Sequence, residues 1–192
     1  MRSCELTRKT KETDINLILN LDGSGQCSIN TGIGFFDHML TAFAVHSGFD
    51  LRIDAKGDLE VDCHHTIEDV GIVLGQALAK LLGDRSKIQR YGSVYIPMDE
   101  ALAFTAIDIS GRPYLVFDAE FKNQSVGSMD CCMVEEFFRA VAVNAGMTLH
   151  IRLLYGSNDH HCIEAVFKSF AHAMAQAASL RSGGVLSSKG VL

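Results

Sequence analysis

An α+β sandwich made by internal duplication, each half running β-β-β-α-β-α, is the fold this sequence predicts. Three matches between its halves predict it. "HHTIEDV" at 64–70 and "HHCIEAV" at 160–166 share His, His, Ile, Glu and Val in register. Upstream of each, "GFDLRI" at 48–53 and "GMTLHI" at 146–151 agree at Gly, Leu and Ile. Further upstream, "FFDHMLTAFA" at 35–44 lines up with "MVEEFFRAVA" at 133–142. The two upstream matches share an offset of 98 and the histidine pairs one of 96, so one short loop differs by two residues. A single seven-residue match can arise by chance; three ordered matches at nearly one offset indicate duplication.

The elements follow in order. Residues 3–10, 13–21 and 26–30 have strand character and are parted by turn signals at "DGSG" and "NTG". Apolar residues at helical spacing predict a helix over 35–46, alternation a strand over 49–56, and the run 64–82 a helix closing at Gly83. The second half repeats this with strands at 93–97, 101–109 and 113–118, a helix at 130–145, a strand at 147–154 and a helix at 160–181. Four strands and two helices per half predict helices packed between two four-stranded sheets. The halves divide as 1–90 and 91–192, the second carrying a C-terminal tail, in one compact domain.

Composition excludes several functions. A net charge of -6 argues against nucleic acid as the main partner, because phosphate backbones favour basic surfaces. The polar start "MRSCELTRKTKETD" lacks the apolar core of a secretory signal, and no stretch has the apolar length of a membrane helix. Six cysteines without a CxxC pair read as reduced thiols in a cytoplasmic protein.

The repeated HHxxE carries the chemistry. Residues four apart share a helix face, so His64 and Glu68 converge on one point while His65 reaches a second. The same holds for His160, Glu164 and His161. Imidazole nitrogen with carboxylate oxygen suits a divalent transition ion such as Mn, Fe, Co, Ni or Zn. His38 aligns with Glu136 at the repeat offset, which completes an eight-residue ligand set for two pseudo-symmetric metal sites. One grouping sets His38, His64, Glu68 and His161 against Glu136, His65, His160 and Glu164. His46, His150 and His172 lack a repeated partner and read as structural or exposed. Cys63 and Cys162, beside the histidine pairs, read as buried inert thiols, and Met129, Met133 and Met147 as core filler.

Several cations lie beside turns and glycines: Arg90 in "QRYGS", Arg112 in "SGRPY", and Lys168 one turn beyond Glu164. Lys168 is equally suited to a plain helix-face ion pair with Glu164. Ser187, Ser188 and Lys189 in a Gly-rich tail would suit a phosphate that orders the tail on binding.

"TGIGFFDHML", "DCHHTIEDVGIVLGQAL", "RYGSVYIPMDEAL", "DISGRPYL", "VEEFFRA", "HHCIEAVFKSFAHAM" and "SSKG" together resemble imidazoleglycerol-phosphate dehydratases of histidine biosynthesis, in order from about residue 5 to the end. The resemblance implies a duplicated fold of the ribosomal protein S5 domain 2-like type. It also implies two Mn(II) ions per active site and a 24-subunit shell of trimers with sites between subunits. It carries His38, His64, His65, Glu68, His160, His161 and Glu164 over as metal ligands. Glu12, Arg90, Arg112, Lys168, Ser187, Ser188 and Lys189 are carried over to the substrate, with His38 and His46 as further substrate candidates. Glu136 stands where many relatives have histidine, and Cys63 where aspartate is usual. The chain has no room for a fused phosphatase domain, so the monofunctional form is implied.

The implied reaction removes water from D-erythro-imidazoleglycerol phosphate to give imidazole acetol phosphate. The proton lost is not acidic, since no carbonyl adjoins it. A ring held as imidazolate between two ions can expel the adjacent hydroxyl and leave a diazafulvene with an acidified C–H; deprotonation then gives an enol that ketonises. Two HHxxE copies would serve two ions on one ring. Glu12 is the candidate acid/base, with a bound water or the ligand carboxylates Glu68 and Glu164 as alternatives. Two other readings stay open on the residues alone. One is a di-metal hydrolase of a phosphorylated small molecule, the other a non-catalytic metal-binding cage, which would leave the cations without a purpose.

Overall fold

A computed structural model of the chain describes residues 1–182, 184, 186 and 187. The first half runs β1 (Ser3–Lys9), β2 (Thr13–Asn20), β3 (Cys27–Asn30), α1 (Gly34–Ser47), β4 (Asp50–Gly57) and α2 (His64–Leu82). The second runs β5 (Tyr91–Met98), β6 (Ala101–Asp108), β7 (Tyr114–Asp118), the short hairpin β8 (Ser125–Val126) and β9 (Met129–Asp130), α3 (Met133–Ala145), β10 (Thr148–Tyr155) and α4 (Asp159–Ala178). The larger sheets have the same layout, β1-β2-β4-β3 and β5-β6-β10-β7, each with one parallel pair, β3 with β4 and β7 with β10.

The matched glycines of the repeat do the same work in both halves. Gly48 ends α1 at φ 73° and Gly146 ends α3 at φ 65°, a left-handed conformation that costs glycine little and turns each chain into its next strand. Strands β2 and β6 alternate buried and outward residues, and their inner faces carry helices.

The helices pair across the halves rather than within them. α1 packs on α4 and α2 on α3; α2 also covers β1, β2 and β4, while α4 covers β5, β6 and β10. Each helix so buries one side on a sheet and another on a helix of the opposite half. At the centre Phe36 meets Phe137 edge to face with ring centroids 5.3 Å apart, and Phe138 meets Phe167 at 4.9 Å. α2 and α3 pack closely at Gly71 and Gly75, where an added Cβ would stand 2.9 Å from the Phe137 carbonyl oxygen and 2.8 Å from that of Val141.

Two helix ends differ by three residues from the sequence expectation. The helix expected from residue 130 starts at Met133, because the preceding residues fold back as β8–β9 and bury Met129. The last helix ends at Ala178 instead of 181: Ser179 is extended, and its carbonyl accepts from Gln89 N–H.

Candidate metal centre

α4 is built to present a polar stripe on an otherwise buried helix. The Asn158 side chain caps it by accepting from His160 N–H at 3.0 Å. Spacing of four then aligns His160, Glu164, Lys168 and His172 on one face. Because α1 packs here, His38 joins them. The Nε2 atoms of His38 and His160 each lie 3.4 Å from Glu164 Oε2, and Lys168 Nζ lies 2.6 Å from Oε1. One ligand atom from each of His38, His160 and Glu164 falls within 4.8 Å of the others. The Phe35 ring backs His160 at a centroid distance of 4.9 Å. Burial pushes the Glu164 carboxyl up, but the Lys168 hydrogen bond and charge outweigh it and leave the carboxyl below its ordinary value. Two imidazoles and a carboxylate at this spacing are a donor set that fits a divalent transition ion.

This grouping corrects one expectation. His38 sits with His160 and Glu164, not with His64 and Glu68, because α1 packs on α4. The α2–α3 pairing puts Glu136 on the helix that faces the one carrying His64 and Glu68. The close contact at Gly71 and Phe137 lies one turn from Glu68 and beside Glu136. Here the cluster is open: His64 Nε2 is 3.6 Å from Glu68 Oε2, while Glu136 turns to Arg139 Nε at 3.4 Å.

The second histidines of both pairs face elsewhere. His65 Nδ1 lies 3.0 Å from Asp58 Oδ2, and His161 Nδ1 lies 2.8 Å from Glu100 Oε2. Each carboxylate raises its histidine's pKa, by hydrogen bonding first. Glu12, exposed beside β2, adds its charge near His65. Asp58 and Glu100 were absent from the sequence candidates. Glu100 had a signal: it immediately precedes β6 as Glu12 precedes β2, so the hairpins align them.

The cations separate into two kinds. Arg90 is buried; it grips Asp108 from Nε at 2.6 Å and Nη2 at 3.0 Å and donates from Nη1 to the Leu186 carbonyl at 2.6 Å. Arg112 is exposed, with its Nη2 3.6 Å from Asp108 Oδ2. His46 Nδ1 lies 3.3 Å from His172 Nε2, and burial and then Lys168 push the His46 pKa down. Ser188 and Lys189 lie outside the described residues. Cys63 and Cys162 are buried, and burial raises both thiols, as inert core cysteines require.

The family model for imidazoleglycerol-phosphate dehydratase matches residues 31–174. A protein of that name from Acetivibrio thermocellus is 61% identical over 193 residues, covering 100% of this chain and 99% of its own. The crystal structure of the enzyme from Staphylococcus aureus superposes with a TM-score of 0.85 at 46% identity, covering 93% of this chain and 99% of that one. That from Pyrococcus furiosus gives 0.85 at 40% identity, covering 97% and 100%.

Proposed function

The chain belongs to the imidazoleglycerol-phosphate dehydratase family, and we propose that its two histidine clusters dehydrate D-erythro-imidazoleglycerol phosphate to imidazole acetol phosphate in histidine biosynthesis. It is a hydro-lyase. The observation that supports the mechanism is the convergence of His38, His160 and Glu164 from opposite halves; the repeat makes Glu136, His64 and Glu68, on the other helix pair, their counterparts. Two Mn(II) ions bound there would act as Lewis acids, one on each ring nitrogen of the substrate, holding it as imidazolate.

The protein's own groups have distinct tasks. His38, His160 and Glu164 hold one ion, and Glu136, His64 and Glu68 the other. His65 and His161, turned away from their own chain's clusters, complete the sites of neighbouring subunits in a shell of 24 built from trimers. Glu12 moves the proton: its carboxylate takes the C–H proton, and its acid form protonates the departing hydroxyl. Lys168, Arg112 and the tail residues Ser187, Ser188 and Lys189 hold the phosphate, and His46 lines its approach. Arg90 acts on the phosphate site through the tail, whose Leu186 carbonyl it already binds. Among the described residues no helix is long and apolar enough to cross a membrane. The cysteines described are all free thiols, which suits a cytoplasmic enzyme.

The test is incubation of Mn(II)-loaded protein with imidazoleglycerol phosphate, following the enolisable ketone. Ketone formation without phosphate release is expected. Phosphate release would favour a hydrolase, and metal binding without turnover a cage protein.

A further inference from the structure

The first histidine of each pair turns Nε2 toward the glutamate of its own motif, at 3.6 Å for His64 and 3.4 Å for His160. The second does something else, twice over. His65 places Nδ1 between the two oxygens of Asp58, at 3.1 and 3.0 Å, and His161 places Nδ1 on Glu100 at 2.8 Å. A single pair of this kind at a surface would carry little meaning. Here the same nitrogen of the same motif position is engaged in both halves, and the carboxylates come from unrelated places. Asp58 lies in the connection from β4 to α2, and Glu100 in the turn between β5 and β6. Duplication therefore does not explain the coincidence, since copying one partner would have put both in the same loop.

Glu100 is itself held rigidly. Its Oε1 accepts from Ser157 N–H at 3.0 Å, Asn158 N–H at 2.7 Å and Ser157 Oγ at 3.2 Å, leaving Oε2 for the imidazole. Nε2 has only the exposed Asp99 Oδ2 at 3.7 Å, beyond hydrogen-bond distance; a carboxylate only accepts, so the proton of a neutral His161 is drawn to Nδ1 and the lone pair stays on Nε2.

We infer that Glu100 and Asp58 are positioning residues that lock His161 and His65 in the Nδ1–H tautomer, presenting a bare Nε2 to the ion that each completes. The inference rests on the metal reading above. A hydrogen-bonded carboxylate behind a ligating histidine fixes ring orientation and raises ligand basicity, and losing it costs 10–100-fold in metal affinity in general.

Glu100→Gln separates this role from a purely structural one. The backbone donors of 157 and 158 retain the amide oxygen, so the NH2 group turns to Nδ1 and forces the proton onto Nε2. Full-length metal-free protein with 15N-labelled histidine reports each tautomer by NMR, and Mn(II) titration reports affinity. In the unsubstituted protein both His161 and His65 should be Nδ1–H. Glu100→Gln should flip His161 alone and weaken Mn(II) binding roughly 10–100-fold. Asp58→Asn should do the same at His65 alone. Unchanged affinity, or weaker binding with the His161 tautomer unmoved, would overturn the positioning role. His161→Ala distinguishes the levels: if it loses Mn(II) while Glu100→Gln does not, positioning alone fails. If His161→Ala binds Mn(II) normally, the metal reading fails and this inference falls with it.

Discussion

The α1–α4 and α2–α3 junctions are copies of one design that have diverged. At α1–α4 the stripe reads His38, His160, Glu164, Lys168, and His46 with His172. At α2–α3 the equivalent positions are Glu136, His64, Glu68, Ile72, and Asn144 with Gln76, the last two joined by a 3.4 Å hydrogen bond. The first set is closed, because Lys168 answers the one carboxylate and two imidazoles accompany it. The second has two carboxylates, one histidine and an isoleucine where the lysine would be. Like charges cannot converge unaided, so Glu136 leans on Arg139. One junction forms a closed cluster from its own side chains, and the other stays open.

The severest way to break the comparison is to remove the shared glutamate. Glu164→Gln and Glu68→Gln should each drop turnover to background and abolish one of the two Mn(II) sites, measured by metal analysis after gel filtration. Retention of full metal content by either variant would end the pseudo-symmetric account. If each site draws on two subunits, as proposed, metal removal should convert a large assembly to a small oligomer on a sizing column.

Glu136 tests the diverged position. Glu136→Ala should weaken one site by roughly 10–100-fold, the weight of one charge-assisted contact of about 1.5–3 kcal/mol. Glu136→His, which restores the α1–α4 set, should recover binding. Equal Mn(II) titrations for all three proteins would remove Glu136 from the ligand set.

Lys168→Ile makes the closed junction resemble the open one. It strands the buried Glu164, at a cost of about 3 kcal/mol in metal-free protein. That lowers Tm by roughly 6–12 °C for a chain of this size. Excess Mn(II) should restore most of the loss. A metal-independent drop would make Lys168 a packing residue only. The smallest effect belongs to Gln76→Ala, an exposed partner in a long hydrogen bond, which should shift stability by no more than about 0.5 kcal/mol in chemical denaturation.

Much of this was legible before the structure because it is periodic. Spacing of four put His64 with Glu68 and His160 with Glu164, and the offset of 98 tied His38 to Glu136. The β8–β9 hairpin was missed because an apolar stretch of "SMDCCMV" reads equally as a helix start. Asp58 and Glu100 were missed because their contacts with His65 and His161 cross from loops, where no period links the partners.

The sequence by itself determined the duplicated α+β architecture and the family, and it marked the repeated His and Glu positions as candidates, since repeats and helical spacing are local properties of the chain. Only the tertiary structure decided which ligands meet. That depends on helices pairing across the halves, α1 on α4 and α2 on α3, as each buries the apolar side its own sheet leaves uncovered. The same packing decided that Arg90 braces Asp108 and the tail while Arg112 stays exposed, for burial forces a charge to find its partner inside the fold.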